Sequence, residues 1–286
     1  MEKVITADWH ENVFIQHPSL RASYEKYLQR KKENRLELYE KCRLGEIIPS
    51  RVYDPPNLQE NSRCEFCGDI GYRFYWQDGY QVAEPCECLN RIQSEYKMKK
   101  SGVNRDLTFE NFYTDKNWQT DIAAKGYEYA TGGHLTGQWF FIGGQVGCGK
   151  THLCTAIVNE ILKTNIACRY MAWREESTQL KSLINEHEEY HERIMELKNT
   201  PVLYIDDFFK TQQGKLPTQA DVNLAFEILN YRYQDKQRRT IISCERSVDD
   251  IIKIDEAIGS RIYERSKAYR IFVGKDNDKN YRLSMG

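Results

Sequence analysis

Residues 144–151 read GQVGCGKT and decide the fold, because they fit the pattern G-x-x-x-x-G-K-[ST]. The run before the loop, QWFFIG at 138–143, is strongly apolar, as expected for a buried strand. The run after it, THLCTAIVNEILKT at 151–164, has the pattern of an amphipathic helix. A strand, a glycine-rich turn and a helix form the context in which this pattern binds phosphate. The sequence therefore predicts a site for the phosphates of ATP and ADP.

Each residue type in this loop has a physical role. Glycines let the backbone bend so that successive N–H groups face phosphate oxygens, and the next helix adds its positive N-terminal dipole. Lys150 supplies positive charge for the β- and γ-phosphates and takes part in catalysis, while the Thr151 hydroxyl ligates Mg²⁺. The predicted nucleotide contacts are Gly144, Gly147, Cys148, Gly149, Lys150, Thr151 and His152.

A second apolar run, VLYI at 202–205, ends in the pair Asp206-Asp207. A carboxylate at the tip of a buried strand is costly unless it meets a cation or hydrogen-bond donors. The Mg²⁺ ion of a bound nucleotide is the natural cation. We expect Asp206 to bind this ion through water, and Asp207 to orient and deprotonate the attacking water.

From about residue 105 onward, apolar strand patterns alternate with helical patterns. Continuous apolar strands separated by helices indicate a parallel sheet that is covered on both faces, so the predicted fold class is α/β. The predicted strands are 138–143, 167–173, 202–206, 240–244 and 269–273, and the predicted helices are 151–164, about 175–198, 219–235 and 255–266.

The composition is that of a soluble globular protein, with 286 residues, 40% hydrophobic and 29% charged. A net charge of −1 gives no bulk attraction to DNA, so any contact with nucleic acid needs a local patch. No apolar run is long enough to span a bilayer, and the first residues lack the apolar segment of a secretory signal. We expect a cytoplasmic protein with no membrane partner.

Four of the nine cysteines crowd together as Cys64-x₂-Cys67 and Cys86-x-Cys88. Each close pair offers two sulfurs on a tight turn, and a hairpin between the pairs completes a tetrahedral zinc site. Four thiolates leave no position for water, so the predicted role is structural. Four unligated thiols and an iron–sulfur cluster are the alternatives.

Three regions follow from these patterns. Residues 1–58 are highly charged, and their helical stretch at 24–43 has too little apolar surface to stand alone, so it must dock on its own protein or on a partner. Residues 59–100 form the predicted zinc-binding module. Residues 101–286 form the predicted ATPase domain.

The ordered set of motifs resembles the helicase loader family of AAA+ ATPases, the relatives of bacterial DnaC and DnaI and their phage counterparts. The resemblance covers roughly residues 60–286. It implies an ATPase that works as an oligomer with composite ATP sites and loads a replicative DNA helicase onto single-stranded DNA. The motifs are CEFC (64–67), CEC (86–88), GQVGCGKTHL (144–153), LYIDDFFK (203–210), TIISCERS (240–247) and GSRIYERS (259–266).

The resemblance also implies roles for three further positions. Arg261 acts in trans as a finger on a neighbour's γ-phosphate, with Arg265 as a poorer candidate. Arg282 resembles the second sensor arginine and contacts the nucleotide. The first sensor falls within 243–245, where Glu245 departs from the asparagine of many relatives.

Partner binding rests mainly on the resemblance, which gives the helicase contact to the N-terminal region. Basic clusters at 97–100 and 238–239, among plentiful aromatic residues, are candidate contacts for single-stranded DNA. Three alternatives remain open: a transposition helper ATPase of the IstB type, an ATP-binding adaptor module with negligible hydrolysis, and a small-molecule kinase. The cysteine cluster and the N-terminal helix favour the loader.

Overall fold

A computed structural model of the chain describes residues 64, 67–77, 80–132, 137–211 and 215–281. The predicted N-terminal helical region and Arg282 lie outside these residues. The chain divides into two compact units after Gln93, close to the predicted boundary at residue 100.

The first unit contains a β-hairpin and the start of a helix. Strands β1 (Tyr72–Gln77) and β2 (Tyr80–Pro85) pair antiparallel, and helix α1 (Leu89–Ser101) follows. Gly71 has φ +85°, and a Cβ on it would lie 2.6 Å from Leu89 Cδ1. Only glycine tolerates both this conformation and this close approach of the helix.

The second unit is built on five parallel strands in the order β4-β5-β6-β3-β7. The predicted parallel α/β class is confirmed. Because β6 lies between β3 and β5, the loops after these three strands meet at one edge of the sheet. The strands are β3 (Phe140–Gly144), β4 (Cys168–Ala172), β5 (Val202–Phe208), β6 (Arg239–Cys244) and β7 (Arg270–Val273).

Helices cover both faces of this sheet. Phe140 and Ile142 belong to one apolar cluster and Phe141 to the other, as the alternation of side chains along a strand requires. None of the described helices combines the length and apolar character that crossing a bilayer demands. The helices are α2 (Asn117–Thr131), α3 (Lys150–Lys163), α4 (Trp173–Ser182), α5 (His187–Asn199), α6 (Gln219–Gln234), α7 (Val248–Ile254) and α8 (Glu256–Arg265), followed by a 3₁₀ turn (Asn277–Lys279).

The prediction of one long helix over about 175–198 is wrong, because the chain forms two helices there, α4 and α5. A single helix of this length would extend about 36 Å, well beyond β5, whose seven residues span about 23 Å. The turn between the helices lets Leu180 of α4 and Ile194 of α5 enter the same core.

The predicted helix at 255–266 is confirmed as α8, but α7 precedes it directly. Asp255 ends α7, and its side chain accepts a hydrogen bond from Ile258 N (2.8 Å) to begin α8. Gly259 permits the close contact between the two helices, since a Cβ there would lie 2.6 Å from Ile252 N.

Candidate nucleotide site and cysteine cluster

The loop between β3 and α3 has the backbone of a phosphate-binding turn. Gly144, Gly147 and Gly149 have φ values of +118°, +79° and +87°. Glycine is needed for these left-handed conformations, and a Cβ on Gly144 would also collide with the carbonyl of Val273. The loop ends where α3 begins, at Lys150, so its N–H groups and the helix dipole act on the same volume.

Lys150 is held over this loop. Its side chain is buried, and Nζ donates hydrogen bonds to Gly144 O (2.9 Å) and Gln145 O (2.7 Å). An ammonium group has three donors, and both acceptors are uncharged carbonyls. Lys150 therefore keeps a donor and its full charge for a phosphate.

Asp206 is a buried carboxylate two residues before the end of β5. Among the described residues, it accepts hydrogen bonds from neutral groups only. Burial raises the pKa of Tyr170 and Tyr204, so both hydroxyls stay protonated and donate. The donors are Thr151 Oγ1 (3.2 Å), Tyr204 OH (2.7 Å), Asp207 N (3.1 Å), Tyr170 OH (3.2 Å) and Ser243 Oγ.

This network leaves the negative charge of Asp206 without an ion-pair partner in the described part of the chain. The contact with Thr151 places a carboxylate and a hydroxyl together at the start of α3. Oxygen ligands of this kind are those that Mg²⁺ prefers. The residues therefore fit the predicted Mg²⁺ of a bound nucleotide.

Asp207, the predicted base, lies in a cluster of charged side chains. Lys210 Nζ lies 2.7 Å from Asp207 Oδ2 and 3.1 Å from Glu245 Oε1. Burial alone would lower the pKa of Lys210, but its hydrogen bonds to Asp207 and Glu245 outweigh burial and raise that pKa. In this conformation the carboxylate of Asp207 is neutralised by Lys210.

The three candidates for the first sensor differ in what they contact. Ser243 Oγ donates to Asp206 and accepts from Asp207 N (3.0 Å). Cys244 is fully buried, with Sγ 3.0 Å from Phe208 O, and Glu245 faces Lys210. Ser243 is thus the residue of the three that contacts both aspartates.

A cavity of about 360 Å³ opens beside the loop. Its lining combines polar and aromatic side chains, as a nucleotide requires. The polar lining includes Lys150, Thr151, Asp207, Lys210 and Glu245, and the apolar lining includes Leu107, Phe112, Tyr113 and Trp118.

His152 lines the same cavity but is engaged by its own chain. Its Nε2 lies 2.9 Å from Thr108 O and 3.0 Å from Asn111 Oδ1, and its ring meets Phe112 edge-on at 5.2 Å. His152 therefore holds Phe112 against α3. The sequence did not indicate that Phe112 and Tyr113 line the cavity, because they lie in an irregular segment that has no periodicity.

The segment 276–281 crosses the phosphate loop, a second feature that sequence reasoning missed. Gln145 Nε2 donates to Asp276 O (2.8 Å), and Tyr281 N donates to Gly147 O (3.0 Å). The ring of Tyr281 lies 4.6 Å from that of Tyr113. The polar run DNDKN at 276–280 gives no signal for this contact, because it reads as an ordinary surface loop.

Arg261 lies on α8 and is absent from the described lining of the cavity. Its guanidinium stacks 5.3 Å from the ring centres of Phe226 and Tyr233 on α6. NH1 donates to Ala257 O (2.7 Å), while Nε is buried with no hydrogen-bond partner in the described chain. Two aromatic rings thus hold a guanidinium whose donors are largely unused.

Arg265, one turn further along α8, is engaged differently. Its NH2 donates to Tyr233 O and its NH1 to Gly137 O (3.3 Å). These bonds join α8 to other parts of the same chain. Among the described residues the Nε of each arginine is buried without a hydrogen-bond partner, but Arg261 donates one hydrogen bond to its own chain and Arg265 donates two.

The basic clusters proposed for DNA are partly used inside the chain. Lys97 Nζ donates to Asn165 O and Oδ1, both at 2.8 Å. Arg239 is buried beside Tyr129, and Arg238 stacks on Tyr231 and donates to Lys198 O. Lys99 and Lys100 stay exposed.

The four clustered cysteines converge on one point. Their sulfurs all lie within 4.8 Å of one another, with Cys64 and Cys86 3.7 Å apart and Cys67 and Cys88 3.2 Å apart. A tetrahedron with Zn–S bonds of about 2.3 Å has S···S edges of about 3.8 Å. Gly71 N also donates to Cys67 Sγ (3.3 Å), which orients that ligand. The donor set fits a structural zinc ion.

The sequence profile described as the bacterial DnaA ATPase domain matches residues 103–265, more than half of the chain. The chain is 33% identical over 222 residues to the uncharacterized protein YqaM of Bacillus subtilis strain 168, covering 73% of this chain and 68% of YqaM. It is 31% identical over 245 residues to the phage-like element PBSX protein XkdC of the same organism, covering 80% and 90%.

Among solved structures, the fold is similar to that of the DnaC helicase loader, with a TM-score of 0.50 and 19% identity over 60% of this chain and 97% of that one. At this identity the likeness concerns the fold alone. The region matched by the DnaA ATPase domain profile, 103–265, contains the phosphate loop, Asp206, Asp207 and Arg261.

Proposed function

We propose that the chain is an ATP-dependent loader of a replicative DNA helicase onto single-stranded DNA. The premise is that the chain belongs to the bacterial DnaA ATPase domain family. Membership of this family makes the chain a replication-related AAA+ ATPase. Our proposal adds three points to this family membership: the helicase as client, the contact with DNA, and assembly into an oligomer.

The observation that carries the proposal is the separation of Arg261 from the chain's own nucleotide cavity. The cavity is lined by Lys150 and Asp207, but no arginine is among its described lining residues. Arg261 lies on α8, where its guanidinium stacks on two aromatic rings and donates one hydrogen bond, to Ala257 O. An arginine supplied by a neighbouring subunit would complete the site, and this makes assembly depend on ATP.

In the proposed cycle, Lys150 and the loop N–H groups bind the phosphates of ATP. Thr151 and Asp206 would hold Mg²⁺, which would neutralise part of the phosphate charge. Asp207 orients the attacking water, and Arg261 of the next subunit stabilises charge that develops in the transition state. Hydrolysis to ADP removes the γ-phosphate and so weakens the contact between subunits.

The helicase is the proposed client because the relative XkdC belongs to a phage-like element and the fold is that of a helicase loader. The predicted N-terminal region, 1–58, is the proposed contact for the helicase. The cysteine module follows that region in the chain, and bound zinc would stabilise its fold. Lys99 and Lys100, the exposed lysines of the basic cluster at 97–100, are the proposed contacts for DNA.

A second candidate, an ATP-binding adaptor with negligible hydrolysis, is favoured by one observation. The ion pair with Lys210 occupies the carboxylate of Asp207, which the hydrolysis reaction needs. The two functions differ in turnover. A loader hydrolyses ATP at a rate that depends on protein concentration, whereas an adaptor shows no turnover above background.

Co-purification with the host's ring-shaped replicative helicase, with ATP, with ADP and without nucleotide, tests the proposal. We expect a stable complex with ATP and its loss with Lys150→Ala, which removes the phosphate cation. Lys163→Ala, an exposed lysine at the other end of α3, is the matched control and should bind the helicase like the parent. Helicase loading would be contradicted if no complex formed, or if the complex formed equally well without nucleotide and with Lys150→Ala.

A further inference from the structure

We propose that Lys210 is a second phosphate cation of the nucleotide site. In the conformation described, Lys210 neutralises Asp207 and Glu245; when ATP binds, it moves to the γ-phosphate and leaves Asp207 free to act on water. The inference rests on the proposed ATP hydrolysis, but not on the proposed helicase client.

The backbone places Lys210 at this point by a strained turn. Asp207 and Phe209 both have φ +54°, a left-handed conformation that is uncommon for residues with a side chain. The turn is closed by a hydrogen bond from Lys210 N to Asp207 O (2.9 Å). Strain of this kind persists only where the surroundings impose it, and it concentrates at functional sites.

Two phenylalanines impose this turn. Phe208 and Phe209 are both buried, and their rings stack at 4.1 Å. Both meet Trp173 edge-on, at 5.0 and 5.5 Å. The pairing of β5 with β6 also shifts register between Ile205 and Phe208. The packing of the chain itself therefore holds the turn, which places Lys210 in the lining of the cavity.

The charges around the cavity explain what Lys210 does there. Three carboxylates lie beside the site, namely Asp206, Asp207 and Glu245. With Lys150 as the sole cation among these residues, negative charge would exceed positive charge even without a phosphate. Lys210 contacts two of them, at 2.7 and 3.1 Å. A triphosphate adds further negative charge, so a second cation lowers the electrostatic cost of binding it.

Lys210 is able to exchange partners. Its side chain is 36% exposed, and it lines the same cavity as Lys150 and Thr151. A lysine ammonium is a point charge on a flexible stem, so it moves between anions without rebuilding the turn. Glu245 forms an ion pair with Lys210 and so keeps the ammonium group beside the cavity, from where it can reach a phosphate.

The test compares nucleotides that differ only in the γ-phosphate. Affinities for ADP and for a non-hydrolysable ATP analogue are measured by calorimetry on the full chain and on Lys210→Met, which keeps the stem and removes the charge. We expect affinity for the ATP analogue to fall about 10- to 100-fold, the value of a charged hydrogen bond, with little change for ADP. Lys215→Met removes an exposed lysine of the same loop and should change neither affinity.

A second variant separates charge from folding. Lys210→Arg keeps the positive charge and should retain the preference for the ATP analogue, while Lys210→Gln should lose it as Lys210→Met does. Equal losses for ADP and the ATP analogue, or no loss for either, would overturn the proposal and leave Lys210 as a structural ion pair. Failure of helicase co-purification would contradict the proposed client only, because these affinities need no helicase.

Discussion

The cysteine cluster and the nucleotide cavity each fit a group that the chain does not supply, but they are built in opposite ways. The four sulfurs lie within 4.8 Å of one another, so a metal ion would be enclosed completely. The nucleotide site surrounds a cavity of about 360 Å³ whose lining includes Lys150, Asp207 and Glu245. The first arrangement can only hold an ion, whereas the second leaves room for reaction.

The same difference appears in how polar groups are satisfied. The sulfurs face one another, and burial raises the pKa of the Cys67 and Cys88 thiols above its usual value, so a bound cation is needed to hold them as thiolates. At the nucleotide site, Lys150 contacts two uncharged carbonyls and Lys210 contacts two carboxylates, and both lysines line an open cavity. A closed set of ligands indicates a structural role, and an open set with exchangeable partners indicates catalysis.

Loss of a zinc ligand should have the largest effect, and it should stay within the first unit. Binding of structural zinc contributes on the order of 10 kcal/mol of folding free energy at neutral pH. We expect Cys86→Ser to lose bound zinc and to lose amide protection within 67–93, with unchanged nucleotide affinity. Metal analysis and hydrogen exchange measure this. Cys168→Ala, a buried cysteine of β4, is the control and should keep the metal. Zinc-free parent protein with a protected hairpin would refute the site.

Arg261→Ala should have the next largest effect. A finger supplied in trans is worth about 10³–10⁵ in rate, because a guanidinium meets charge that develops only in the transition state. We expect ATP affinity to be retained and steady-state turnover to fall by this factor. Arg265→Ala should instead lower the melting temperature, because Arg265 binds backbone carbonyls of its own chain. If turnover of Arg261→Ala stays within severalfold of that of the parent, Arg261 has no role in catalysis.

Lys150→Ala should have the smallest of the three effects. Loss of a charged hydrogen bond to phosphate costs about 1.5–3 kcal/mol, or roughly 10- to 150-fold in affinity. Calorimetry with ADP measures this loss. Lys163→Ala removes a lysine from the far end of the same helix, where it pairs with Glu160, and should bind ADP like the parent. Equal ADP affinity in Lys150→Ala and the parent would remove the phosphate-loop interpretation.

The sequence predicted the elements that rest on local pattern. The loop at 144–151, the strand ending in Asp206 and the parallel sheet all follow from short-range rules for glycine, apolar runs and helix periodicity. The convergence of the four cysteines was also predicted, since the spacing of metal ligands is a local property.

What the sequence could not predict depends on contacts between distant residues. The segment 276–281 meets the phosphate loop across more than a hundred residues, and polar residues give no pattern for such a contact. The rings of Phe226 and Tyr233 reach Arg261 from another helix. Lys210 was missed because its position comes from left-handed backbone at Asp207 and Phe209, which neither residue type suggests.

The central claim is a composite ATP site, with the phosphate loop from one subunit and Arg261 from its neighbour. Mixing Arg261→Ala with Lys150→Ala tests it most directly, at an ATP concentration too low to occupy the altered loop of Lys150→Ala. Arg261→Ala has an intact loop and Lys150→Ala has an intact finger, so a mixed oligomer contains sites in which both are present. We predict that turnover returns on mixing, is greatest near equal amounts, and rises with total concentration. No return of activity at any ratio, with mixed oligomers confirmed by light scattering, would contradict the composite site.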